Sequence, residues 1–260
     1  MSFNLENIQF SKNDNRRGVL LPKVLSPELS ELIGIMMGDG NIYMKDKRYE
    51  LAIVGDSNED IEYHREHINS LFKKVFNVSP ISRIRIFKDS RKCVITKFES
   101  KAIVSFLTNC VSLPNGKKDN IKIPDCITDS GKENIYRFLR GLADTDFSIK
   151  FKTRYEKKNY YPIIIGNFKS NSFVEELKSL LNSIGFLSHI EKRTNFNKKS
   201  NKKYYGSSIN IVGKENFEKW IDRVGFANKR HIIRYEVWKK IGYCPPYTNI
   251  EKGEVILNKA

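Results

Sequence analysis

Two aspartates, Asp39 and Asp146, each close an apolar helical run and stand directly before the start of a strand: ELIGIMMGDGNI over Glu31–Ile42 and FLRGLADTDFSI over Phe138–Ile149. The last carbonyls of a helix already make its C-terminal end negative, so a carboxylate placed there calls for a positive partner. A divalent cation supplies one, and paired carboxylates that hold such ions against phosphate are the usual apparatus of phosphoryl chemistry. Setting Leu32–Gly40 beside Leu139–Phe147 aligns Gly34 with Gly141, Gly38 with Thr145 and Asp39 with Asp146. Recurrence at the spacing of a whole domain implies two similar halves in one chain.

The elements that must position these carboxylates repeat as well. Ser26 and Pro27 open the first helix as N-cap and N1. Asn41–Lys45 and Tyr49–Val54 then read as a hairpin, a helix follows from about Asn58 to Phe76, and Ile81–Phe87 and Cys93–Phe98 alternate around a Lys88–Arg91 turn. Ser100–Cys110 closes the series as a helix, so the order is αββαββα. The second half repeats it through Phe147–Arg154, Tyr160–Ile165, Ser172–Ile184, Leu187–Glu191, Tyr204–Val212 and Lys214–Val224. The expected class is α+β: two pseudo-symmetric αββαββα halves with saddle-shaped antiparallel or mixed sheets. The expected boundaries are a basic extension over 1–25, the first repeat over 26–120, a linker over 121–134 where Pro124, Ser130 and Gly131 break the periodicity, the second repeat over 135–242, and a tail over 243–260. Small residues at i and i+4, Gly34 with Gly38 and Gly141 with Thr145, allow the two motif helices to approach closely and bring Asp39 near Asp146.

Composition narrows the partner. The chain has 260 residues, 46 Lys plus Arg against 30 Asp plus Glu, and a formal net charge of +16, which favours an acidic polymer. Cys93, Cys110, Cys126 and Cys244 show no metal-ligand spacing, and the chain shows no signal-like N-terminal segment or bilayer-length apolar run. These features point to a reduced, intracellular, cytoplasmic protein that is neither secreted nor membrane-inserted.

At the two motifs the chain resembles the LAGLIDADG homing endonucleases, in the form that carries both motifs in one polypeptide. LIGIMMGDG matches at Leu32, Gly34, Asp39 and Gly40; LRGLADTDF matches at Leu139, Gly141, Leu142, Asp144 and Asp146, with Phe147 where the family usually has glycine. The resemblance implies a monomeric, metal-dependent, site-specific DNA endonuclease that cuts both strands at a long site. Asp39 and Asp146 are then catalytic and metal-binding, Gly38 and Thr145 are further metal candidates, and the cofactor is Mg²⁺ as two or three divalent ions, with Mn²⁺ a possible substitute. Lys169, which follows the second strand of the second half, is a candidate accessory lysine whose counterpart in the first half is Asp56. Lys118, beside Lys117, and Lys229 are further candidates after the last helix of each half.

Recognition is expected on the strands, where alternate side chains share one face of a sheet that lines the major groove. The candidate contacts are Arg83, Arg85, Arg91, Lys92 and Lys97 in the first half. In the second they are Lys150, Lys152, Arg154, Lys192, Arg193, Lys198, Lys199, Lys202 and Lys203, with Asn195 and Asn197 able to read adenine edges. His64 and His67 read as a surface pair, Asp144 as a structural hydrogen-bonding residue, and Trp220 and Trp238 as core. Two other functions suit the same features: an RNA-binding maturase acting on an intron, and a DNA-binding regulator that has lost cleavage. The second has no need for both aspartates. Intein splicing is disfavoured, since splicing motifs do not flank the repeats.

Overall fold

The computed structural model describes residues 2–118, 121–197 and 202–259. The chain divides into two compact units, one of Met1–Lys118, Pro124–Thr145 and Phe226–Arg230, the other of Asp119–Ile123, Asp146–Gly225 and His231–Ala260. The first contains α1 (Lys12–Arg16), α2 (Pro27–Met37), β1 (Gly40–Lys45), β2 (Arg48–Asp56), α3 (Asn69–Phe76), β3 (Ile81–Ile86), β4 (Lys92–Glu99), α4 (Lys101–Asn109), α5 (Asp125–Thr128) and nearly all of α6 (Lys132–Asp146). The second contains β5 (Phe147–Arg154), β6 (Lys157–Phe168), α7 (Asn171–Ser183), β7 (Ser188–Asn197), β8 (Lys202–Val212), α8 (Lys214–Arg223), most of α9 (Lys229–Ile241) and α10 (Ile250–Lys259).

Each unit has a four-stranded sheet of the same order, β1-β2-β4-β3 and β5-β6-β8-β7. Every pairing in both is antiparallel, so the mixed alternative is not realised. Burial follows the pleat: Leu51, Ile53, Val94 and Phe98 in the first sheet, and Ile149, Ile164, Ile209 and Ile211 in the second, turn to the helix-covered side. The expected strands and the helices between them are present, while α1, α9 and α10 were not expected and β7 runs on to Asn197. The helix before α3 opens with a π-helical stretch, Tyr63–Ile68. The segment read as a linker contains α5 and buries Ile121, Ile123, Cys126 and Ile127. The basic extension is anchored: Asp14 is fully buried and accepts from Ser11 and from the backbone N–H of Ala102 at 3.2 Å, while Phe3 packs edge-on against Phe106.

Within the first unit, α2 and α6 cross at glycine. A Cβ at Gly34 would strike the Phe138 carbonyl, and one at Gly141 would strike the Glu31 carbonyl. Backbone atoms inside a helix cannot swing aside, so the overpacking outweighs the roughly 1 kcal/mol that alanine gains over glycine in a helix. Gly34→Ala and Gly141→Ala are each expected to lower stability by about 1–3 kcal/mol in urea unfolding. A gain in either variant would show that the two helices separate freely.

Candidate active site and nucleic-acid face

Asp39 follows the Gly38 C-cap of α2, and its carbonyl accepts from Val54 N–H at 3.3 Å. The carbonyls that end this helix are gathered by one ammonium: Lys118 Nζ donates to Met36 O, Met37 O and Gly38 O at 2.9, 3.0 and 2.5 Å. At the end of α6 the same position is held by Arg230, whose Nη2 donates to Asp144 O and Thr145 O at 2.7 and 3.0 Å. The sequence reading set Lys229, the neighbour of Arg230, beside Lys118 as the matching candidate. Lys229 Nζ lies 3.9 Å from Glu62 Oε2. Gly38 O and Thr145 O thus take protein cations, and the Thr145 hydroxyl bonds back to Gly141 O and Leu142 O.

The second motif tolerates Phe147 because the glycine has moved across the strand pair. Gly40 faces Ile53, and Phe147 faces Gly166. A Cβ at Gly166 would meet the Phe147 ring, which is buried and stacked on Trp220 with centroids 6.1 Å apart. The same registers carry Asp56 and Lys169 to matching positions, each three residues beyond that partner. Asp56 Oδ1 accepts from Asn58 N–H and Glu59 N–H at 2.8 and 3.0 Å, whereas Lys169 is exposed just past β6.

Behind Arg230 lies a buried polar network within the first unit. Asp60 Oδ2 accepts from Arg230 Nη1 at 3.2 Å and from Asp56 N–H at 2.8 Å, and Asp60 Oδ1 accepts from Asn228 Nδ2 at 2.7 Å. Asp144 is fully buried and accepts from Ala227 N–H and Asn228 N–H. Burial pushes its carboxyl up to about 7, against the pull of those two N–H groups. It is a structural acceptor. Asp60 and Asn228 went unrecognised in the sequence because neither stands in a motif.

His64 and His67 are not a surface pair. His67 Nε2 lies 2.6 Å from the buried Glu31 carboxylate, and His64 is 2 % exposed, with Nδ1 2.7 Å from Thr96 Oγ1. Burial drives His64 down to about 4, with the Asp60 charge opposing and the Arg230 charge assisting. The unfolded chain therefore binds a proton below its ordinary value near 6.5 that the folded chain refuses. Stability is expected to fall as pH drops from about 6.5 to about 4, by roughly 3 kcal/mol. His64→Gln should flatten that limb in urea titrations across the range; an unchanged limb would show that His64 is protonated in place.

The strand registers sort the basic residues onto two faces. Arg83 and Arg85 share the outer face of the first sheet with Lys97, since Arg83 faces Ile95, Arg85 faces Cys93 and Ile81 faces Lys97. Lys92 faces Ile86 and falls on the helix side. Lys150 and Lys152 lie on the outer face of the second sheet with Tyr161 and Ile163, and Arg193 joins them through Gly206 in the register of Ser208 and Asn210. Lys192 pairs with Ser207, and Lys203 with Phe196, in the register that turns to α7. Lys92, Lys192 and Lys203 therefore leave the set that shares one face, because the period of two separates neighbours in a strand. Arg154 stacks on Tyr161 at 4.6 Å. Arg91, in the turn, is paired with Asp89 at 2.6 Å. Asn195 and Asn197 lie in β7 opposite Tyr204 and Lys202 by backbone register, and Lys198 and Lys199 lie outside the described residues. His189 and Asn210 stand in the same outer-face register, where polar uncharged residues carry no compositional signal, and Ser208 in that register is fully buried.

Among the described residues no helix is long and apolar enough to cross a membrane, and no group of three or more His, Cys, Asp or Glu side chains stands ready to hold a metal. A site built on carboxylates with the remaining positions left to phosphate and water needs no such cluster. Residues 133–225 match the family model of the LAGLIDADG-like domain. The chain is 28% identical over 236 residues to a probable translation initiation factor IF-2 of Methanocaldococcus jannaschii, covering 88% of this chain and 18% of that protein. It is 26% identical over 215 residues to a replication factor C small subunit of Thermococcus kodakarensis, covering 82% and 21%. It spans about a fifth of the length of these curated relatives. Among solved structures, it is similar to variants of the homing endonuclease I-DmoI, at TM-score 0.51 and 17% identity over 76% of this chain and 95% of that one. It is also similar to the homing endonuclease I-WcaI bound to its DNA recognition sequence, at TM-score 0.50 and 22% identity over 82% and 85%. With two copies of the motif, two sheets of one order and a direct match over the second repeat, residues 133–225 form a LAGLIDADG-like domain and the chain has the homing-endonuclease fold.

Proposed function

We propose that the chain is a site-specific, divalent-metal-dependent endonuclease that cuts both strands of a long double-stranded DNA target and acts as a monomer. The observation that carries this reading is the duplicated helix end: each motif helix delivers an aspartate directly after carbonyls already gathered by a cation, Lys118 in one case and Arg230 in the other. With those carbonyls engaged, the carboxylate is the group of each helix end whose charge suits a metal ion beside phosphate. Mg²⁺, or Mn²⁺ in its place, would be held by Asp39 and Asp146 and would supply charge stabilisation and a more acidic water. The chain's own contribution is positional: the capping cations cancel the helix-end potential, and Lys169 and Asp56 stand at matching strand ends with opposite charge. The outer sheet faces provide recognition, with Lys150, Lys152 and Arg154 contributing phosphate contacts and Arg83 and Arg85 base or phosphate contacts.

Relatives of unlike name share only a segment of this size, so the endonuclease reading concerns the segment and not the initiation or replication activity of those proteins. The test is incubation with a randomised duplex library, with and without Mg²⁺, followed by sequencing of cut ends. Recurrent double-strand ends at one long sequence, appearing only with metal, are expected. Sequence-specific binding without cleavage in Mg²⁺ or Mn²⁺ would instead make it a binding protein, and preference for a structured RNA over any duplex DNA would make it a maturase.

A further inference from the structure

On the outer face of the first sheet, among side chains otherwise suited to an anionic partner, stands a carboxylate. Glu50 lies in β2, with Tyr43 of β1 and Glu99 of β4 as its cross-strand neighbours. Its Oε2 takes three donors: Arg48 Nη2 at 2.6 Å, Arg48 Nε at 3.1 Å and Lys97 Nζ at 2.6 Å. Arg48 is further steadied over the Tyr43 ring at 5.4 Å, and Lys97 by Glu99 at 3.3 Å. Among the described residues none donates to Oε1. Burial would raise the Glu50 carboxyl, but the bonds from Lys97 and Arg48 hold it below the ordinary range, so it is an anion at neutral pH. The side chain is 16 % exposed while Arg48 is 56 % exposed, which leaves the guanidinium edge at the surface beside a fixed acceptor.

A carboxylate facing a polyanion weakens general phosphate attraction, so its presence on this face needs another gain. In the major groove an anionic acceptor suits an exocyclic amino group, cytosine N4 above all, and is repelled by the O4 of thymine or the O6 of guanine; an arginine fork suits guanine O6 and N7. Acceptor and fork side by side match the two members of one base pair. Resting on the DNA-endonuclease reading above, we propose that Glu50 is a specificity-determining residue: Oε1 accepts the amino group of one cytosine in the target while Arg48 donates to the guanine paired with it. Because Oε2 is already fixed by Arg48 and Lys97, little side-chain freedom is lost on docking.

The experiment is selection of bound duplexes from a randomised library in EDTA, so that no cleavage intervenes, for wild type, Glu50→Gln and Arg48→Met, with melting to confirm that each variant is folded. Wild type should prefer cytosine over thymine about tenfold or more at one position. Glu50→Gln, which places an amide where the anion stood, should erase that preference there and nowhere else, and Arg48→Met should weaken the same pair. If both variants bind duplex with the wild-type profile, or if the position lost is read as adenine, the assignment of Glu50 is overturned while DNA recognition stands. If wild type binds no duplex, both readings fall together.

Discussion

Asp39→Asn and Asp146→Asn will each lower DNA cleavage by roughly 10³-fold or more, equivalent to about 4 kcal/mol of barrier, while duplex affinity and folding stay near wild type. Asparagine keeps the shape of the side chain but not the charge that would hold a divalent ion against phosphate. The fold does not depend on that charge: the α2 end is closed by Lys118 on three carbonyls and the α6 end by Arg230 on two. Recognition does not depend on it either, because it is assigned to basic and polar side chains on the outer faces of the sheets and not to the two carboxylates. A strand-resolved assay with end-labelled target separates the two sites. Lys169→Met should slow one strand more than the other, since the matching first-half position is Asp56, occupied in capping Asn58 and Glu59; nicked duplex should accumulate. Full activity in either asparagine variant would remove the proposed metal site. Loss of binding in a folded variant would make the aspartates recognition residues.

The sequence disclosed the repeat, and through it the class of fold, because period-two and period-3.6 patterns survive wherever one face of an element is buried. It showed the aspartates for the same reason: they terminate an apolar pattern. It could not show what holds the helix ends. Lys118 was visible as a candidate, but nothing in NKRH distinguishes Lys229 from Arg230; that choice is made by the phase of α9 and by Asp60, far away in the chain. Nor could it sort strand cations by face without the register, and so Lys92, Lys192 and Lys203 were grouped with residues they do not stand beside. The exchange of Gly40 and Ile53 for Phe147 and Gly166 escaped notice because the compensating residue lies on the neighbouring strand. His64 and His67 were misread for want of one fact, that their helix turns both inward, to Thr96 and to Glu31.

Arg137→Met is expected to cost about 3 kcal/mol or more, a large share of the stability of a unit this size. Glu31 lies inside α2 with no exposed surface, and its carboxylate is held between Arg137 Nη2 at 2.7 Å from α6 and His67 Nε2 at 2.6 Å. The two partners reach solvent, at 25 % and 29 % side-chain exposure, and the anion does not. Removing Arg137 therefore strands a buried charge, whereas removing the charge frees two partner side chains that already reach water. Glu31→Met should accordingly cost less than Arg137→Met, and in the Glu31→Met background the Arg137 substitution should become nearly neutral. The resulting coupling, about 3 kcal/mol by urea unfolding of the four proteins, measures the pair without its solvation background. It should persist in high salt, because a buried anion is poorly screened. An Arg137→Met cost within about 0.5 kcal/mol, the range of exposed pairs, would show that the Glu31 carboxylate does not depend on this arginine. The close crossing of α2 and α6 would then rest on glycine contact alone.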